Sequence, residues 1–366
     1  MTPVTAAGSV RTSVVRFVAA LLLASAVLVG AGSQSEPTLQ EDADELIART
    51  DIPAVITLVE GDGTRTTVAS GVATLGGRSA RPEDRFWVGS ITKSFVAVVV
   101  MQLVDEGRLH LGDRLSTLLP GRLREGRRIR LANLLNHTSG IAEYMLLDPW
   151  RTAVARNPRV VISPGRLVSA AGRGPLGFPP GSQASYSNTN YLVFAEVVRR
   201  VTGRPLVASF RDRIFGPLGL GATTYQPGHR IVTDDQLHGY DVGPIPPVDT
   251  SENTYGGPWA DGGIVSNARD LAVFFGALLR GQLVVPRLLA RMETIVPRSH
   301  GEGMGLYRLT NPCGEFLYGH TGGTPGYVTF AAGTRDGRRL YVVDWSGVST
   351  EAIAAMDEYL DALLCR

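Results

Sequence analysis

The chain has 366 residues, is 44% hydrophobic and carries a formal net charge of +2. That is enough apolar material for a large core, and the balance of charge excludes the broad basic face of a nucleic-acid binder. The one basic run, Arg122 to Arg130, has no interleaved aromatics and reads as a solvated loop.

Residues 1–31 read as an export signal. Arg11 and Arg16 precede an apolar stretch from Phe17 to Ala31, and the small residues at Ala24–Ala26 and Val29–Ala31 suit cleavage after Ala26 or Ala31. At about fifteen residues the stretch is shorter than the roughly twenty of a membrane span. A secreted, extracellular mature protein with no stable membrane span is therefore expected, with a retained anchor as the alternative. Leu39 to Thr50 then predicts a helix, and Ala54 to Glu60 and Arg65 to Val72 predict a hairpin of strands turned by Gly61-Asp-Gly-Thr64. Ser90 opens a long apolar helix. Residues up to about 295 carry helical patterns separated by Pro/Gly loops, notably Gly174–Ser182 and Asp241–Trp259, with a helix from about Tyr191 to Val201. Strand patterns return at Met304–Leu309, Glu315–His320, Tyr327–Ala332 and Leu340–Trp345, and an amphipathic helix closes the chain at Glu351–Leu364.

Strands at both ends with helices between predict an α+β architecture. One domain is expected over 40–366, with an antiparallel sheet subdomain at about 40–89 and 296–366 and a mainly helical subdomain at about 90–295.

Lys93 is the only lysine among 36 basic side chains, and it stands three residues after Ser90. A composition that replaces lysine with arginine everywhere else keeps lysine where a proton must leave, because arginine stays charged and a buried lysine need not. Residues three apart on a helix share a face, so the amine can stand over the hydroxyl and take its proton. The plain alternative is an N-cap serine and a solvated lysine. A second group, Tyr186 and Asn188, lies in the loop Gly181–Asn190. A tyrosine there can relay protons and an asparagine amide can hold a substrate carbonyl, although taken alone such residues before a helix read first as turn and capping chemistry. The third is Gly319-His320-Thr321-Gly322-Gly323, where glycines leaving a strand allow close backbone approach and expose N–H groups. His320 is compatible with a core position as well. The two cysteines, Cys313 and Cys365, form one disulfide in an oxidising compartment or remain two buried thiols. The six histidines lack zinc-ligand spacings.

Taken in order, Ser90-Ile-Thr-Lys93, Tyr186-Ser-Asn188 and His320-Thr-Gly322 resemble the penicillin-recognising serine hydrolases. The chain is most similar to the exported, soluble serine D-alanyl-D-alanine carboxypeptidases related to class C β-lactamases, and Leu134-Leu-Asn-His-Thr-Ser-Gly140 adds to the likeness. The resemblance runs from about residue 40 to the end. It implies a β-lactamase/DD-peptidase-like fold, Ser90 as the acylated nucleophile, Lys93 as its proton acceptor or relay, and Tyr186 as the partner base. Asn188, His320, Thr321, Gly322 and Gly323 are then substrate-binding, and the backbone N–H groups of Ser90 and Gly323 form an oxyanion hole. Trp150 and Trp259 are walls for the apolar part of a substrate, or simple packing. A Cys313–Cys365 disulfide follows from the same resemblance.

Two positions depart from that pattern. The arginine that holds a substrate carboxylate in those carboxypeptidases aligns with Tyr307, with Arg308 beside it, and Gly323 replaces a hydroxyl-bearing threonine. Adjacent strand residues face opposite sides, so Arg308 is expected to point away. A carboxypeptidase acting on cell-wall stem peptides leads. An esterase or D-aminopeptidase of the same fold follows, then a β-lactamase, and last a protein that binds cell-wall peptides or β-lactams without turnover. No cofactor is implied, and a monomer is expected.

Overall fold

The computed structural model describes residues 38–297 and 299–366. The expected export signal lies outside them. Eleven strands form among the described residues: β1 Ala54–Gly61, β2 Thr64–Gly71, β3 Phe86–Trp87, β4 Thr224–Tyr225, β5 Tyr240–Asp241, β6 Val248–Asp249, β7 Ile264–Ser266, β8 Tyr307–Thr310, β9 Phe316–Thr324, β10 Tyr327–Thr334 and β11 Leu340–Trp345.

The main sheet has six strands in the order β2-β1-β11-β10-β9-β8. All its pairings are antiparallel, so the N-terminal hairpin completes a sheet whose other four strands come from the C-terminal end. Both faces are covered, and the alternation along each strand sorts its residues between two cores. On β1, Ala54, Ile56 and Leu58 face the larger core, while Val55 joins Leu46, Phe330, Trp345 and Met356 in the smaller one. The helices Leu39–Ala48 and Thr350–Leu363 cover that second face. Their starts are fixed locally: Thr38 and Glu41 form a reciprocal capping box, and the Ser349 side chain accepts from Ala352 N.

The larger core is organised by the helix Thr92–Asp105, in which residues from Thr92 to Met101 are all buried. A helix apolar on every side belongs inside a domain. Phe95 stacks on Phe274 of the helix Ala268–Leu279 with centroids 3.6 Å apart and meets Phe210 edge-on at 6.4 Å. No helix among the described residues is long and apolar enough to cross a membrane.

Two boundaries differ from the sequence reading in ways that shape the site. The strand expected from Met304 begins at Tyr307, because Gly305 adopts φ +72° and Gly303 packs against the Met292 carbonyl, which holds this stretch as a loop. The strand expected to end at His320 runs on to Thr324. Cys313 and Cys365 are bonded, with Cα atoms 5.7 Å apart, and tie the β8–β9 turn to the end of the last helix.

Candidate active site

Every residue from Phe86 to Met101 is buried except Ser90, which sits half-buried in a single 3₁₀ turn, Gly89–Ile91, ahead of the Thr92–Asp105 helix. It is thus the one half-open position in a sealed wall. Lys93 Nζ lies 2.9 Å from Ser90 Oγ and donates to the Asp261 carbonyl at 2.7 Å. Tyr186 Oη donates to the same Ser90 Oγ at 2.7 Å. The lysine amine also stands 5.0 Å from the centre of the Tyr186 ring. The serine therefore has a nitrogen and a phenol within proton-transfer distance.

Lys93 is completely buried, and this pushes its pKa down to about 8 against the opposing pull of Asp261 and Glu143. Burial moves Tyr186 the other way, well above the usual phenol range, with Tyr307 adding to the shift and the bond to Ser90 opposing it. Of the two groups on Ser90 Oγ, the amine is the one that changes protonation near neutral pH.

The third motif meets this pair through bare backbone. β8 covers only Phe316 to Gly319 of β9, so His320 to Thr324 extend past their outer neighbour. A Cβ on Gly322 would stand 2.0 Å from the Val88 carbonyl, and one on Gly89, at φ +52°, would stand 2.8 Å from Gly323 N. Only glycines allow this approach of strand to turn. It sets the Gly322–Gly323 backbone against Val88–Ser90, while Gly323 keeps open space on its own Cα face. His320 is buried beside them, and its Nδ1–H donates to the Thr321 carbonyl at 2.5 Å. Burial first, and then the charge of Lys93, hold its pKa down to about 3, so the ring is neutral. Thr321 is exposed on the alternate face of the strand.

Asn188 stands at the N-cap position of the helix Thr189–Thr202 without a side-chain capping bond and is half-buried, with its backbone N–H donating to Glu143 Oε2 at 2.5 Å. The indole N–H of Trp150 donates to the Tyr255 carbonyl and that of Trp259 to the Ile162 carbonyl, and Gly256 and Gly257 pack on the rings. Trp150 reaches the site at second hand, edge-on to Tyr144 at 6.1 Å.

Four residues here had no role assigned from sequence. Tyr144 Oη donates to Asp261 Oδ2 at 2.9 Å, and Asp261 Oδ1 is buried with no hydrogen-bond partner among the described residues. Glu143 is half-buried, and desolvation pushes its carboxyl up to about 7. His137 lies under the Tyr186 ring with centroids 4.3 Å apart. The Leu134–Gly140 motif pointed at His137. An acid alone in Trp259-Ala-Asp-Gly-Gly263 was the signal available for Asp261. Opposite the departure noted in sequence, Tyr307 packs edge-on against His320 at 4.7 Å, and the Arg308 guanidinium lies 4.7 Å over the Phe316 ring on the exposed side.

A D-stereospecific amidohydrolase from a Streptomyces species superposes with a TM-score of 0.76 at 32% identity, covering 86% of this chain and 96% of that one. Penicillin-binding protein 4 of Amycolatopsis lactamdurans is 34% identical over 186 residues, which are 50% of this chain and 47% of that relative. A D-aminopeptidase of Brucella anthropi is 27% identical over 270 residues, 71% of this chain and 49% of its own length. The chain thus spans about half the length of these two curated relatives. With the Beta-lactamase family model matched from residue 39 to residue 366, the chain belongs to that family of serine hydrolases.

Proposed function

We propose that this chain hydrolyses amides or peptides of a D-amino acid with a free amino group, through an acyl-Ser90 intermediate. In this reading neutral Lys93 takes the Ser90 Oγ proton as Oγ bonds to the substrate carbonyl carbon. The backbone N–H groups of Ser90 and Gly323 receive the oxyanion, a preorganised arrangement in which each donor contributes about 3 kcal/mol to lowering the barrier. The ammonium returns its proton through Tyr186 Oη to the leaving nitrogen as the C–N bond breaks. Water, deprotonated along the same pair, then releases the acid and restores Ser90. Asn188 holds the substrate carbonyl.

The observation that carries the choice of substrate is the outward turn of Arg308, with Tyr307 in the position facing neutral His320. A charge-assisted bond to a leaving-group carboxylate contributes about 1.5–3 kcal/mol, and that position does not supply it. Glu143, half-buried beside Asn188, instead presents a carboxylate that an amino group can neutralise. The D-stereospecific amidohydrolase and D-aminopeptidase among the similar proteins support the same direction.

The test compares D-phenylalanine amide, its N-acetyl derivative and an N-acylated peptide ending in D-Ala-D-Ala, with Ser90→Ala as control. Turnover of the free amide with kcat/KM about tenfold or more above the other two is expected, and none with Ser90→Ala. Preference for the D-Ala-D-Ala peptide would instead make the chain a carboxypeptidase, a reading that the penicillin-binding relative keeps in view. Intact mass after exposure to a penicillin then reports whether its adduct on Ser90 persists.

A further inference from the structure

We infer that His137 is a positioning residue that clamps Tyr186 against Ser90 from three directions. Its backbone carbonyl accepts from Ser185 N at 2.9 Å, and its Nδ1 accepts from Ser187 N at 3.1 Å. The N–H groups on either side of Tyr186 are thereby both fastened to this single residue. The imidazole forms the third contact, stacked on the Tyr186 ring at 4.3 Å and 26°. Asn190 Nδ2 approaches the same Nδ1 at 3.3 Å, and Asn190 Oδ1 accepts from Ser139 Oγ at 2.7 Å, so the ring is in turn held from behind.

The backbone at His137 is bent to make this possible. Its φ is +57°, in the left-handed region that side chains other than glycine seldom adopt and that histidine tolerates better than most. That bend directs carbonyl and side chain to neighbouring N–H groups of one loop. Because Nδ1 is an acceptor, the ring proton resides on Nε2. Burial, with Lys93 and His320 nearby, holds the ring neutral well below the usual histidine range. The histidine therefore does not titrate where Lys93 does, and its part in the reaction of the preceding section is geometric. Tyr186 Oη must stay 2.7 Å from Ser90 Oγ while its loop connects to the Thr189–Thr202 helix, and the clamp fixes both ends of that short segment.

The inference rests on the role given to Tyr186 above, so the experiment is a double-mutant cycle with p-nitrophenyl acetate, whose hydrolysis requires only the acyl-transfer apparatus. His137→Asn keeps a residue tolerant of the left-handed backbone and removes the stacked ring. His137→Phe keeps a ring and removes the Nδ1 acceptor, so either variant that melts near the wild-type temperature suffices. Each is expected to lower kcat by about 10- to 100-fold, the scale of an ångström-sized misplacement. KM should stay within about threefold and the pH midpoint of the rate should be unchanged. In a Tyr186→Phe background the same substitutions should cost less than about twofold more, since coupled residues are non-additive. Wild-type kcat in both variants, equal losses with and without the Tyr186 hydroxyl, or a displaced pH midpoint would overturn the clamp. Because p-nitrophenolate leaves without a proton, this assay reads the water step, and full activity of Tyr186→Phe alone would instead refute the part given to Tyr186 in deprotonating that water.

Discussion

A buried amine is a costly group to maintain. Displacing the Lys93 pKa from 10.5 to about 8 corresponds to about 3 kcal/mol of disfavoured charge. The folded pKa lies below the unfolded one, so between about 8 and 10.5 the unfolded chain binds more protons, and this group's penalty on folding is relieved as pH rises through that window. In the proposed mechanism the same titration controls catalysis, because only a neutral amine can accept the serine proton. A pH–rate profile for kcat/KM should rise to a plateau with a midpoint near 8, and Lys93→Arg should lower the rate by about 10²–10⁴-fold with no such rise. A Lys93→Arg protein with wild-type turnover would remove the amine from the mechanism. The isolation of this lysine and its offset from Ser90 were readable from composition and helical spacing. Its neighbours were not, since the Asp261 carbonyl that receives the amine lies 168 residues away and is brought there by tertiary folding.

Strand alternation made the placement of one pair of side chains readable in advance. It placed Tyr307 and Arg308 on opposite sides of β8, and the packing on His320 and Phe316 agrees. Moving the cation to the inner side should move the substrate preference with it. Tyr307→Arg is expected to raise kcat/KM for a carboxylate-terminated D-peptide relative to a D-amide by about tenfold, the equivalent of one charge-assisted bond, while Arg308→Ala leaves that ratio unchanged. Equal ratios in all three proteins would show that the leaving group does not reach β8. β9 runs past its expected end for a reason of equal generality. Glycine usually weakens a strand, and His320 was expected to be its last residue. Here Gly322 and Gly323 pair with Thr329 and Val328, and the absence of side chains is what lets the strand pass beside Val88 and Gly89. The signal was present, but a single sequence does not show whether a glycine ends a strand or admits a neighbour to it.

At the scale of the whole molecule, the assembly of one sheet from the two ends of the described chain followed from the order of strand patterns, and β11 was located to the residue. The cysteine pairing was left open by composition and is closed by geometry. The bridge spans 52 residues and joins the β8–β9 turn to the last helix, beside the bond from Asn311 Nδ2 to the Leu364 carbonyl. A loop of that size stabilises by about 4 kcal/mol in the chain-entropy account. Cys313→Ser with Cys365→Ser should lower the melting temperature measurably and spare kcat below it; a loss of turnover at unchanged melting temperature would mean that the bridge sets the strand edge beside Ser90. The sealed wall around Ser90 also affects how the protein can be handled. With its sole lysine buried, the folded chain offers amine-directed labels no side chain to modify. Once unfolded, it gives a lysine-specific protease a single cutting site, three residues beyond Ser90, so an adduct on that serine is carried on the N-terminal fragment.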